Sequence, residues 1–571
     1  MRRMFFAVAF LPAAPVLAQA TFIPGNLVVA VEGCGIYSGT CTSVPNGTGT
    51  GALNSSVGGY GDNQAAPLTL FQFAPEGTTG AVFVNSLVLP QTATGVNSPV
   101  SGEYGSSSEA TLQLSGTGQF LSILGYGVNA NAFNANPPMF GAAPSNALGQ
   151  SGSLTGQSYT AVPRVLALID ANGNVSSSTA VFNIYNTNNP RSVFSASGTT
   201  AYFSGQGSGS DLTGGVFYVP VGVTTTTPTA ITGADTSSNT IAQDTRDVQI
   251  VNDTLYVSVD TKEGSGAARS YLGTLGTAGT PPTTTVGPPA MLNSFGNSGG
   301  TGKVTITTGA NGNGNGLNAG LQINLSPESY FFATKAILYV ADGGNGKQNS
   351  ATSPLGNGGL QKWINSEGDG SGTWSLAYTL HQNLNLVANS NKSGISGLYG
   401  LTGEVQGSVV NLYATDETLS DLDTTHLYGI TDTLSNTTAS EAAGEAFSVL
   451  ATAPQDSNFK GVAFAPTVAA MTLTETSSFA VQSNGSYVLT LTVTNNGAGT
   501  AEDVTITGVT VGGVSGSTLP AVIGPIAPGA AATATFTIPS TAGAPGATVV
   551  EKVTGTFAGG SITNSVRAKL P

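Results

Sequence analysis

The sequence predicts an all-β protein: a four-strand unit recurring to about residue 466, then a separate all-β segment from 467 to 571. Three observations predict it. Short apolar runs bounded by turn residues recur along the chain, no 10-to-15-residue amphipathic helical pattern interrupts them, and the composition is that of strands and uncharged turns. Charged residues make up 8% of the chain, against roughly 25% in an ordinary soluble domain. Glycine is abundant (78 residues), and hydrophobic residues still reach 40%. A disordered chain would carry less apolar surface and more charge.

The chain opens with Arg2 and Arg3, an apolar run from Met4 to Leu17, and Ala18-Gln19-Ala20. A charged start, a short apolar stretch and small residues at a cleavage position predict a secretory signal peptide over residues 1–20. The run is short for a bilayer span, which needs about 20 residues, and contains Pro12 and Pro15. The expectation is therefore an exported protein, extracellular or periplasmic, with no membrane span. The two cysteines, Cys34 and Cys41, stand seven positions apart with glycines between them, and an oxidising compartment predicts a local disulfide. A zinc site would want more ligands, and the two histidines, His381 and His426, are far away in sequence.

The repeat is clearest in Asp247–Asp260, Ser329–Asp342 and Gly397–Asp416, each a strand, a small turn and a second strand with an aromatic or aliphatic centre. Weaker copies run over Ser192–Gly205 and Ala110–Tyr126. Third strands are expected at Val165–Ile169, Gly215–Val219, Ser270–Leu275, Gly359–Ile364 and His426–Ile430, and fourth strands follow, as at Trp374–Leu380 and Ala446–Ala451. Four strands repeated in series are the pattern of β-propeller blades. Phe459–Pro466 reads as a first strand without partners after it. Asn26–Val31, Leu68–Phe73 and Asn85–Leu89 read as second, third and fourth strands without a first. Joining them makes one composite blade that closes the ring and leaves no long unpaired edge. The expectation is six blades over residues 21–466, or seven if a strand group sits within 127–160 or 277–325.

Beyond Pro466 the texture changes. Tyr487–Gly497 and Asp503–Val511 alternate apolar and polar residues, and Pro528-Gly529 turns the chain into Ala530–Ile538. Turn residues about every 8–12 positions predict a β-sandwich over 467–571. The stretches LTVTNNGAGTAEDVTITGV and IAPGAAATATFTI resemble the bacterial surface-protein family of Ig-like modules that includes CARDB-type domains. That resemblance implies a spacer or interaction module and no particular chemistry. The earlier segment, with strands such as Thr254-Leu255-Tyr256-Val257 and Ile337-Leu338-Tyr339-Val340, is similar to secreted bacterial β-propellers in general.

Glu32, Asp260, Asp342 and Asp416 fall at the ends of four second strands, with Glu417 adjacent. If the register holds, four carboxylates ring one face, an arrangement suited to a hard cation such as Ca2+. The alternative is that each carboxylate caps a turn by accepting backbone N–H bonds. Tyr126 holds the corresponding place in another blade, and Tyr37, Tyr60 and Tyr104 stand in the long neighbouring segments. These tyrosines are candidates for stacking on sugars, or are ordinary surface residues. Asp170–Asn174 and Glu367–Gly372 look like hairpin turns, since neither has the closing Glu of a calcium loop. Gly309–Asn318 is a low-complexity loop.

Sixteen basic residues and a net charge of −14 exclude a nucleic-acid partner, whose phosphates would need Lys and Arg. The leading expectation is a non-catalytic binding or adhesion-type protein for a glycan or another surface protein. The alternative is a metal-dependent hydrolase or lyase acting on a lactone or glycan.

Overall fold

The computed structural model describes residues 20–38, 60, 64–106, 108–142, 147–208, 211–233, 244–260, 270–295, 303–305, 322–344, 358–387, 391, 393–420, 422–468, 473–497, 501–527, 529–557 and 560–571. The expected signal peptide lies outside them except for Ala20, as do Cys41 and the Gly309–Asn318 loop. Cys34, which is described, is not a free thiol. The protein is all-β, and its contacts divide it into two units, residues 1–467 and 468–571.

The first unit holds six antiparallel four-strand meanders among the described residues. Sheet 1 is assembled from both ends of the unit: Ser457–Phe464, Leu27–Gly33, Ala65–Pro75 and Ala81–Val88. Leu27 pairs with Phe464, and Glu32 with Asn458, as the orphan strands in the sequence require. Sheet 2 is Leu112–Leu114, Phe120–Tyr126, Arg164–Asp170 and Val175–Val181. Sheet 3 is Pro190–Phe194, Thr200–Gly205, Gly215–Pro220 and Thr229–Ala230. Sheet 4 is Thr245–Val251, Thr254–Asp260, Ser270–Leu275 and Ala290–Met291. Sheet 5 is Pro327–Thr334, Ile337–Asp342, Gly359–Asn365 and Trp374–Leu380. Sheet 6 is Ile395–Gln406, Val409–Thr418, His426–Thr433 and Ser448–Thr452. The short strand Ser101–Glu103 bridges sheets 1 and 2.

The first strands neighbour one another in sheet order, and the first strand of sheet 6 returns to that of sheet 1. Side chains of one strand therefore feed two different cores. Val28 and Ala30 pack with Leu121, Ile123 and Val165 of sheet 2, whereas Val29 and Val31 pack with Tyr413 and Leu427 of sheet 6. A strand buried on both faces needs an unbroken apolar run, which Leu27-Val28-Val29-Ala30-Val31 supplies. The 127–160 segment carries one six-residue helix and two 3-10 turns, and no strand among its described residues. Asp170–Asn174 is a hairpin turn in which the Asp170 carboxylate accepts N–H bonds from Asn172 and Asn174 at 2.9 and 2.8 Å.

The second unit has two antiparallel sheets. One contains Leu473–Val481, Tyr487–Asn495 and Ala531–Ile538. The other is built on Ala501–Val511, Thr548–Phe557 and Gly560–Lys569. They share one apolar cluster in which Leu489, Leu491, Val493, Ile506, Val509 and Phe536 are almost fully buried.

Candidate functional site

In all six meanders the second strand ends, and the third begins, at the same end as the start of the first strand. Register makes neighbours of these termini. Pro327 pairs with Asp342, Thr245 with Val259, Glu32 with Asn458 and Gly205 with Pro190. The first-strand residues Arg191, Arg246, Glu328 and Lys460 are thereby set among the second-strand carboxylates, and all are buried.

Arg246 organises one network. Its guanidinium donates to both oxygens of Glu328 and lies 3.4 Å from Asp260 and 3.7 Å from Asp244. Arg191 pairs with Asp244 at 2.8 Å and donates to Gln206 at 2.8 Å. Ser326 joins two of the expected carboxylates, donating from its hydroxyl to Asp260 at 2.7 Å and from its amide to Asp342 at 2.9 Å. Gly344 N–H and the Gln361 amide also donate to Asp342, at 2.8 and 2.9 Å. Burial nevertheless pushes Asp342 up to about 7, with the charges of Asp260 and Glu328 adding to the rise against those hydrogen bonds.

A second network surrounds Glu109. Tyr126 donates its hydroxyl to Glu109, and the Asn189 amide donates to both Glu109 and Glu103. The Arg164 guanidinium lies 4.7 Å over the Tyr126 ring. Glu32 has Lys460 at 3.8 Å, and among the described residues neither of its oxygens accepts a hydrogen bond. Burial holds Glu32, Glu103 and Glu109 above the usual carboxylate range. The Tyr399 hydroxyl of sheet 6 donates to the Glu109 carbonyl at 2.7 Å and meets Thr111 at 2.8 Å, tying sheets 6 and 2 together.

Asp416 stands apart from the other three carboxylates. It accepts from the His426 backbone N–H at 2.7 Å and faces the His426 Nδ1 at 2.8 Å. That hydrogen bond raises the His426 pKa, and the imidazole remains 24% exposed beside a fully buried carboxylate. A carboxylate-oriented, partly open imidazole can accept or deliver a proton.

The structure thus brings Asp260 and Asp342 together, and places Glu32 and Asp416 in separate surroundings. Asp342 is a turn-capping carboxylate of the kind expected as the alternative. Asp260 and Glu32 instead face the side chains of Arg246 and Lys460. Among the described residues, no group of three or more His, Cys, Asp and Glu side chains is placed to hold a metal ion. Tyr60, Tyr104 and Tyr126 require correction as stacking platforms, while Tyr37 is half-buried. Tyr60 and Tyr104 stack on each other at 5.3 Å and are buried, Tyr126 is buried against Glu109, and Tyr37 stacks on Phe83 at 4.1 Å. Glu417 is also buried, at 8% exposure. Arg191, Arg246, Glu328 and Lys460 were not singled out from the sequence, although a charge inside an apolar strand of so charge-poor a chain is itself a signal.

No family model matches this chain, and no curated protein does. Among solved structures it is similar to a point mutant of the α-L-arabinofuranosidase of Fusarium graminearum in complex with an iminosugar inhibitor. The identity is 8%, over 55% of this chain and 62% of that one, with a TM-score of 0.19. The match thus spans less than two thirds of that structure's length.

Proposed function

We propose that this chain is an exported, non-catalytic binding protein that presents one face of a six-bladed β-propeller to a glycan or another surface protein, with residues 468–571 as an Ig-like spacer. The observation that carries the reading is that the second strands end and the third strands begin beside the starts of the first strands, where buried ion-paired networks around Arg246 and Glu109 lie. The cycle of first strands supports the propeller, and two sheets sharing one core support the sandwich. Arg246, Arg191 and Lys460 already supply the positive charge that Asp260, Glu328, Asp244 and Glu32 face, so these networks serve as a rigid floor from which loops reach a ligand. Export rests on the signal-peptide pattern, and so does the disulfide of Cys34 with Cys41.

One observation favours a second reading. The Asp416–His426 pair is built like the base of a hydrolase, which would make a lactone or glycan a substrate. Two assays on the same purified chain separate the readings: binding to a panel of immobilised glycans, and hydrolysis of aryl glycosides and lactones. Retention without turnover is the expected result. Turnover that disappears in His426→Ala would replace the binding reading with the hydrolase.

A further inference from the structure

We propose that Lys362 and Asp432 join in an amide bond, a covalent tie between sheets 5 and 6 that forms inside the folded chain with Glu445 as its acid. Three strands of sheet 5 set the nucleophile. Tyr339 pairs with Lys362, and Lys362 pairs with Tyr378, so the three side chains form one row on one face of the sheet. Both tyrosines of the row belong to the apolar cluster shared with Leu412, Ala414 and Ile430 of sheet 6. Asp432, in the third strand of sheet 6, meets the row from the other side. The side chains of Lys362 and Asp432 are both closed to solvent, and Nζ lies 2.8 Å from Oδ2. Nζ also donates to the Tyr378 hydroxyl at 3.0 Å and to the Thr433 and Leu434 carbonyls at 2.9 and 3.2 Å.

Stability alone is a poor reason to place a lysine there, because well-packed apolar residues serve a buried site as well as an ion pair does. The surrounding groups fit a reaction. A proton passes along the short contact from Nζ to Oδ2, and burial favours that neutral pair over two separate charges. An amine and a carboxylic acid fixed in contact react as if at about 10⁵–10⁸ M. Tyr378 donates to Asp432 Oδ1 at 2.5 Å, the oxygen on which negative charge develops as the amine adds to Cγ. Tyr339 donates to Oδ2, the oxygen that departs. Burial and the Asp432 charge raise both phenols, so they stay donors. Glu445 is hydrogen-bonded to Asp432, and burial together with that bond pushes it up to about 8, so it holds a proton at neutral pH. Its Oε1 is fixed by the Thr433 N–H at 3.2 Å and the Asn436 amide at 3.0 Å. The step balances without an oxidant or co-reactant. The Nζ–Cγ bond forms, the Cγ–Oδ2 bond breaks, and Oδ2 leaves as water with the Glu445 proton. Glu445 then recovers a proton from Nζ, which keeps one N–H.

The test is mass spectrometry of the full chain, folded, then denatured and reduced. The expected chain is lighter than its sequence requires by the mass of one water. A succinimide at Asp342-Gly343 or Asp369-Gly370 loses the same mass, so trypsin digestion locates the bond. An acylated Lys362 is not cut, and the sequence has no other basic residue between Lys347 and Lys392 or between Lys392 and Lys460. The linked product is therefore Gln348–Lys392 joined to Ser393–Lys460, a branched peptide that fragments at the Lys362–Asp432 amide. Lys362→Arg keeps the charge, carries the full mass and yields the two peptides separately. Glu445→Gln leaves the groups in contact but slows the reaction, so an unlinked share accumulates in freshly folded chain. Cleavage of the folded wild type after Lys362, with Ser393–Lys460 released at full mass, would overturn the bond whether or not the variants fold. So would a water loss that persists in Lys362→Arg. A Glu445→Gln chain linked as fast as the wild type would overturn the part given to Glu445.

Discussion

Replacing Arg246 with Met tests whether the network it forms with Glu328, Asp260 and Asp244 is held together by internal charge compensation. The guanidinium faces Glu328, Asp260 and Asp244, all within its reach and all buried. Methionine keeps the stem and removes the charge, leaving three carboxylates in a space closed to water. Breaking a buried pair in this way costs about 3–5 kcal/mol, a large part of the roughly 5–15 kcal/mol that holds a domain folded. With a urea m-value of about 3 kcal/mol/M, the midpoint falls by roughly 1–2 M. The sign of the pH dependence follows from the same picture. Burial already raises Glu328, and Arg246 is the main influence that lowers it. Without Arg246 the folded-state pKa of Glu328 rises further above its unfolded value. A carboxyl raised in the folded state contributes most below the unfolded pKa, and that contribution is lost as pH climbs through the folded value. The variant is therefore damaged most at pH 8 and least near pH 4.5. Urea titrations followed by tryptophan emission read this unit alone. A midpoint equal to the wild type at pH 8, or a larger deficit at pH 4.5 than at pH 8, would refute the compensation by Arg246.

Three further outcomes are expected. The two histidines titrate in opposite senses by NMR: His426 above its ordinary value because of Asp416, and His381 pushed by burial down to about 4. Asp416→Asn brings His426 down and leaves His381 in place. The His426 contribution to stability is full below about pH 6.5 and fades as pH rises through its folded value, while that of His381 fades as pH falls toward 4. Lys362→Met strands the buried Asp432, which Lys362 meets at 2.8 Å. It costs about 3–5 kcal/mol in the same urea assay, and adding Asp432→Asn recovers part of it. Gly461→Ala sets a Cβ 2.0 Å from the Leu112 backbone nitrogen and lowers stability by about 1–3 kcal/mol. Gly368→Ala, which meets nothing within 4 Å, stays within about 0.5 kcal/mol of the wild type in the same melts.

The strand order was legible because each doubly buried strand is an apolar run of 5–8 residues between turn residues. The orphan strands at either end of the unit could pair only with each other. The surroundings of Glu32 and Asp260 were not legible. Their partners, Lys460 and Arg246, lie on first strands whose register against the second strands is set by pairing across the sheet, and local pattern carries no trace of that. The tyrosines misled for a related reason. Tyr60 and Tyr104 sit in Gly- and Ser-rich stretches that resemble exposed loop, yet each is buried by the other's ring. Asp342 came out as the turn-capping alternative because short side-chain-to-backbone bonds depend on near neighbours alone.

The composite sheet has a consequence for how the chain is made. Leu27–Gly33 leaves the ribosome early, but its partner Ser457–Phe464 follows more than four hundred residues later. At roughly 5–20 residues per second, the strand waits about 20–90 seconds with one row of N–H and C=O groups unmatched. A chain truncated before residue 457 never ends that wait. Such a fragment keeps five complete meanders and one sticky edge, so it is expected to aggregate during synthesis rather than to accumulate as a smaller folded protein.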